Sequence, residues 1–152
     1  MKKPGPPRVE VHNLQRKIEI NVMDLRKFGN KAAALCLQLF SKTRTQLDTL
    51  SDVSILIVSD RRMASLHRRF MSRSGATDVI TFQHGEIFIS ADTAVRNARR
   101  FGNSLGGELR LYIVHGLLHL HGFEDRNATS ATKMRAAEQK LLSKFSNSSA
   151  FE

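Results

Sequence analysis

Two histidines, His115 and His119, stand four residues apart in the apolar run Val114-His-Gly-Leu-Leu-His-Leu-His-Gly-Phe-Glu-Asp125. In a helix that spacing brings both imidazoles out of one face. Gly122 follows three residues after His119, and a glycine there can take the left-handed conformation that ends a helix and folds the chain back. Asp125, three residues further on, would then return its carboxylate to the two imidazoles. Two nitrogens and one oxygen converging, with a fourth position open, form the donor set of a catalytic zinc site. The pattern predicts a metal-dependent hydrolase holding one ion through His115, His119 and Asp125.

The neighbouring residues sharpen this reading. A lone histidine in an apolar helix is usually a satisfied core residue; a pair at this spacing, followed by Gly and Asp, points to a metal instead. His121 falls on nearly the opposite side of the helix from His119 and is excluded as a ligand. Glu124 is an alternative to Asp125, whose register suits a third ligand better. Glu108, seven residues before His115, is expected to orient a ligand imidazole from a neighbouring turn. An acid placed there for the helix dipole is the other reading. Gly116 occupies the position at which zinc peptidases of the His-Glu-x-x-His type carry their general base. A glycine costs a helix interior about 1 kcal/mol relative to alanine, tolerable where the backbone must approach a substrate or a neighbouring strand. Without the glutamate, peptide hydrolysis loses its proton shuttle, although the His-x3-His-x2-Gly-x2-Asp spacing also mimics one peptidase clan. An ion at the site can still acidify a bound water and polarise a phosphoryl oxygen. No catalytic group beyond that water is identified.

Composition narrows the partner. The 152 residues suit one domain, with residues 8–146 as its body and loose tails at 1–7 and 147–152. Hydrophobic residues make up 41% and charged residues 25%, enough for a core and a wet surface, and no apolar run is long enough to span a bilayer. The start, Met-Lys-Lys-Pro-Gly-Pro-Pro, lacks the apolar segment of a secretory signal. The single cysteine, Cys36, sits in an apolar helical pattern and reads as a core thiol in a reducing compartment; a cytoplasmic location is expected. The net charge of +10 predicts a polyanionic partner. Arginines gather at Arg61-Arg62, at Arg68-Arg69 with Arg73, and at Arg96, Arg99 and Arg100. Nucleic acid fits this excess better than a membrane surface, because no cationic helix carries an aromatic face.

The elements that must position these groups can be read in outline. Val9–Asn13 and Lys17–Asn21 alternate polar and apolar residues and predict two short strands joined by a turn. Helical spacing of apolar residues runs from Asp24 to about Lys42. Asp52–Val58 reads as a buried strand, Arg61 to Phe70 as a helix, and Met71–Ala76 as a polar loop. Val79–Phe82 and Glu86–Ser90 predict a hairpin. Helices are expected at Ala91–Phe101, at Leu105–His121 and at Asn127–Phe145. The result is an α+β fold, a single small domain with a mixed sheet of four or five strands covered by helices, its metal site on a helix–turn segment.

At this point a family resemblance emerges. The segment from His115 to Asp125 resembles the signature of the YbeY endoribonucleases, bacterial rRNA maturation factors. Thr77-Asp-Val-Ile-Thr-Phe82 and Gly85-Glu-Ile-Phe-Ile-Ser90 resemble further segments of that family, and Glu108, Met134 and Glu138 agree with its spacing. The likeness runs over roughly residues 50 to 142, in the same order. It implies a zinc-dependent, single-strand-specific endoribonuclease with one ion per chain, acting in rRNA processing at the 16S 3′ end and in ribosome quality control. Ribosomal RNA and ribosomal subunits would be the partners, and a monomer is the default. His115 and His119 fall on the family's first two ligands, whereas Asp125 stands where the third is usually histidine, Met71 where an arginine is usual and Gln83 where a proline is usual. Arg69 and Arg73 are then the candidates for binding the RNA phosphates. The competing reading is a non-catalytic assembly factor with a structural metal, followed by a zinc peptidase.

Overall fold

The branched residues of Asp52-Val-Ser-Ile-Leu-Ile-Val58 form a central strand buried on the Val53, Ile55 and Ile57 face and partly covered on the other, as runs of branched residues do in parallel sheets. The computed structural model describes residues 5–71 and 78–146. Arg73, most of the expected polar loop and both ends at 1–4 and 147–152 lie outside the described residues. In chain order the elements are β1 (Arg8–Asn13), α1 (Val22–Leu39), α2 (Gln46–Thr49), β2 (Asp52–Val58), α3 (Asp60–Met71), β3 (Val79–Phe82), β4 (Glu86–Ser90), α4 (Ala91–Phe101), α5 (Leu105–Leu120) and α6 (Ala128–Ser146). The four strands form one mixed sheet in the order β1-β2-β4-β3. β1, β2 and β4 run parallel, and β3 returns antiparallel along the edge of β4.

One face of the sheet carries Val9, Val11, Val53, Ile55, Ile57, Ile87 and Ile89, and packs against α1, α4, α5 and α6 in the main core. α3 covers the other face, where Met63 and Leu66 meet Val58, Ile80, Phe82 and Phe88. α5 lies at the centre of the helical layer, touching α1, α4, α6, β3 and β4. That position explains a helix buried on most sides, from Leu109 through Leu120, and it sets the candidate ligands against the core rather than on a mobile surface.

Three expectations need correction. Lys17–Asn21 is not a strand. The Gln15 side chain accepts from the Ile18 amide (2.9 Å) and donates to the Ile18 carbonyl (2.6 Å), so it takes the place of a neighbouring strand. Ile18 and Ile20 still pack against the core, which accounts for the alternating pattern. Pro7, assigned to a loose tail, is buried immediately before β1. The four-residue α2, capped by Thr45, has no counterpart in the sequence reading, because one turn of helix is too short to show a period.

Candidate metal centre

α5 ends in a Schellman turn. The Phe123 amide donates to the Leu118 carbonyl and the Gly122 amide to that of His119, at 3.0 and 3.1 Å, with Gly122 at φ +90°. This is the left-handed residue that such a turn requires. The chain reverses, and Phe123 and Asp125 come back alongside the last turn of α5.

The reversal brings three donor atoms together. His115 Nε2 and His119 Nε2 are 3.0 Å apart, and Asp125 Oδ2 lies 3.4 Å from the first and 3.6 Å from the second. Zinc bonds of about 2.0–2.1 Å at tetrahedral angles would place ligand atoms about 3.3 Å apart. The observed spacings bracket that value, so the donor set fits one small divalent ion.

The outer nitrogens strengthen the fit. His119 Nδ1 donates to the Phe123 carbonyl at 3.0 Å, and His115 Nδ1 donates to the Glu138 carboxylate at 2.5 Å. Both acceptors lack a proton of their own to give, so each ring keeps its proton on Nδ1 and turns a bare Nε2 inward. Two Nε2 atoms facing each other at 3.0 Å suit either a proton shared between the rings or a metal ion held by both. Proton affinities respond to the same conflict. Burial works to depress His115, but the hydrogen bond and charge of Glu138, with Asp125, outweigh it and raise its pKa. His119 is lowered, by burial first and then by the charge of His115.

Glu138 corrects the expectation placed on Glu108. Seven helical residues separate Glu108 from His115, about 10 Å along the axis, too far for a side chain to bridge. Glu108 is buried and accepts from Asn103 Nδ2 at 2.7 Å. It therefore ties the α4–α5 connection to α5. Glu138 does what Glu108 was expected to do, from α6. A signal for it exists in the sequence: Met134, Leu141 and Phe145 form a buried stripe, and Glu138 is the one acid at a position of that stripe. A buried acid calls for a partner.

His121, excluded as a ligand, is fully buried on another side. Its Nε2 donates to the Phe40 carbonyl at 2.7 Å, so its Nδ1 accepts from Thr45 Oγ1 at 2.9 Å. It clamps the end of α1 and the start of α2 onto the α5 turn. Glu124 is not part of the donor group and pairs with Arg126 at 3.8 Å. Arg69 is exposed in the last turn of α3, its guanidinium 5.4 Å from the Phe70 ring centre.

Two cavities meet at the centre. One, of about 280 Å³, is lined by Asp78, Tyr112, His115, Asp125, Arg135 and Glu138 among others. The second, of about 390 Å³, is lined by Gln83, His119, Gly122, Phe123, Glu124, Asp125 and Arg126. Each carries one arginine, neither of which the sequence reading singled out. An anionic chain crossing from one cavity to the other would pass directly over the two imidazoles.

Fold and site together define a small α+β domain whose buried helix and following turn present a His–His–carboxylate group able to hold one metal ion. Residues 10–146 match the model of the family described as Endoribonuclease YbeY, and the chain belongs to that family. It is 38% identical over 101 residues to the Endoribonuclease YbeY of an Anaeromyxobacter species, covering 60% of this chain and 53% of that protein. The protein of that name from Nautilia profundicola is 35% identical over 105 residues, 64% of this chain and 74% of the relative. The one from Syntrophus aciditrophicus aligns more fully, at 29% identity over 151 residues, 88% and 87% of the two chains. The chain thus spans about half the length of the Anaeromyxobacter relatives. Its fold is similar to the solution structure of TM1509 from Thermotoga maritima, with a TM-score of 0.55 and 22% identity over 95% of this chain and 99% of the other.

Proposed function

We propose that this chain is a single-strand-specific endoribonuclease of ribosomal RNA processing, working in the cytoplasm with one zinc ion held by His115, His119 and Asp125. The observation that carries the reading is the convergence of three donor atoms at the spacing of a tetrahedral zinc site, in a chain whose relatives are named endoribonucleases. When bound, the ion supplies Lewis acidity toward a phosphodiester and lowers the pKa of water.

The chain's own residues do the rest. Glu138 and the Phe123 carbonyl hold both imidazoles in the tautomer that offers Nε2, and fix their orientation. Arg135 and Arg126 line the cavities on either side, where they take the phosphates flanking the scissile one by charge and hydrogen bonding. The rest of the positive surface, +10 in all, gathers the strand by counterion release. Gly116 leaves no general base at the peptidase position, which favours phosphodiester over peptide. Ribosomal RNA within the small subunit is the substrate proposed, with the protein acting as a monomer.

Purified protein of known metal content is incubated with a fragment of the 16S rRNA 3′ end, alone and in ribosomal subunits, beside a folded His119→Ala variant. Nicking by the parent alone, stopped by chelation and restored by zinc, is the expected result. If parent and variant cut equally, or neither cuts either substrate, the nuclease reading fails and a binding role in subunit assembly replaces it.

A further inference from the structure

Outside the metal centre, the chain builds a second arrangement that its core does not require. The hairpin connecting β3 to β4 is Gln83-His84-Gly85, closed by the Gly85 amide donating to the Phe82 carbonyl at 2.9 Å. Gly85 takes φ +108°, which suits the last residue of a three-residue hairpin. Phe82, at its base, is surrounded by aromatic rings. Phe70 meets it edge-on at 5.3 Å, Phe88 edge-on at 5.8 Å, and His84 lies nearly parallel to it at 5.7 Å with 19° between the planes. Phe82 and Phe88 rest on the small core beneath α3.

Phe70 and His84, by contrast, face water. Phe70 is 56% exposed, and the His84 side chain is 66% exposed with its Nε2 tied to Glu86 Oε1 at 2.7 Å. A phenylalanine exposed to this degree gives up the gain from burial. The imidazole offers one face to Phe82 and leaves the other open, with its orientation fixed by Glu86. The charge around the pair is positive: Arg68 and Arg69 end α3, and the Arg69 guanidinium sits by the Phe70 ring. Gln83, the residue before His84, lines the cavity that contains His119 and Asp125. The aromatic pair lies on the α3 face of the sheet, and the β3–β4 hairpin joins it through Gln83 to the cavity of the candidate metal centre on the α5 side.

We propose that Phe70 and His84, on the Phe82 platform, stack unpaired bases of a single RNA strand whose phosphates pair with Arg68 and Arg69, where the strand passes the edge of the sheet beside the metal centre. The inference rests on the nuclease reading for its substrate and adds how single strands are chosen. Aromatic faces take any base, but only one that is free of its duplex neighbours. Arginines beside them neutralise phosphates without reading sequence. The Glu86 carboxylate opposes the strand's charge and is outnumbered by the two arginines.

The test is anisotropy of a fluorescein-labelled 12-nucleotide single-stranded RNA with the metal-loaded, full-length protein. It is read within seconds of mixing, the probe's integrity is checked on a gel, and the same sequence is tested as a duplex. Both aromatic side chains are exposed, so the His84→Ala and Phe70→Ala variants are expected to fold. Each should bind the single strand about five- to a hundredfold more weakly and the duplex as the parent does. Arg69→Ala should weaken both probes and flatten the salt dependence by about one phosphate contact. Unchanged single-strand affinity in H84A and F70A, or equal losses on both probes, overturns the proposal. So does a parent that is dimeric by light scattering and monomeric as F70A, which would seat a second copy on this surface. Cleavage of the same probe is followed separately over hours. A parent that discriminates strands but never cuts disproves the nuclease reading while leaving the stacking surface intact.

Discussion

At the residue scale, the centre depends on which nitrogen of each imidazole carries the proton. Glu138 decides this for His115 by accepting from Nδ1, and its charge raises the basicity of the ligand nitrogen. Glu138→Gln keeps the shape and removes the charge. Carboxylates in this position are worth 10- to 100-fold in metal affinity, as an order of magnitude, so the variant should lose zinc to a competing chelator at a correspondingly lower chelator concentration. A fold unchanged by circular dichroism with zinc affinity equal to the parent's would remove Glu138 from this account. The same scale explains Cys36: burial pushes its thiol up to about 12, and a thiol so seldom ionised is inert. It is packing, as its apolar surroundings in the sequence indicate.

At the scale of elements, α5 is held in place by contacts that are not chemical in function. A Cβ added at Gly116 would lie 2.7 Å from Ile87 Cγ2 and 2.8 Å from Ile87 Cδ1. The glycine is there so that α5 can lie close against β4, not to admit a substrate. Gly116→Ala gains about 1 kcal/mol of helix propensity but overpacks a site where such changes cost about 1–3 kcal/mol. Net destabilisation in urea is expected, and Ile87→Ala in the same chain should relieve part of it, so that the double mutant loses less stability than the sum of the two single mutants. Purely additive losses would mean that the close approach is not the cause. His121 offers a second check. Removing it takes one hydrogen bond each from the half-buried Phe40 carbonyl and Thr45 hydroxyl, which keep their bonds to the Lys42 and Asp48 amides, so a loss of about 1 kcal/mol per bond is expected. His121→Ala should therefore unfold at lower urea yet bind one zinc ion when folded; loss of zinc from a folded H121A would make it a ligand after all.

Over the whole molecule, a network joins the sheet to both flanking helix layers. Asp60, at the start of α3, accepts from Ser90 Oγ at 2.5 Å and Thr93 Oγ1 at 2.8 Å, and pairs with Arg96 at 2.7 Å. Burial alone would raise its pKa, but the hydrogen bonds from Arg96, Ser90 and Thr93 outweigh it and hold the carboxyl low. A carboxyl whose folded pKa is depressed stabilises the fold above its ordinary value near about 4, and that contribution fades as pH falls through the folded pKa. Thermal unfolding should then show Asp60→Asn less stable than the parent at pH 7, with the gap narrowing below about pH 4. A gap that stays constant with pH would mean that the network acts through shape rather than charge.

Local signals were enough for much of this. β2, β3, β4 and α4 have the bounds read from the sequence, and the structure shows why for α4: Ser90 caps its start and the left-handed Gly102 its end, signals that act within a few residues. His115, His119 and Asp125 were legible because a helical period and one glycine turn fix their geometry locally. Arg126 and Arg135 became candidates only once two cavities were seen to share Asp125.

What the sequence by itself determined is the donor set, the positive charge and most of the elements, all products of spacing and composition. Tertiary structure decided the partners. β4 pairs in parallel with β2, Glu138 rather than Glu108 reaches His115, and Gln15 replaces a strand beside Ile18. Such contacts link residues 23 or more positions apart, as for His115 and Glu138, or compete with a pattern that is locally correct. They follow from how the helices and strands pack in three dimensions, which no local period records.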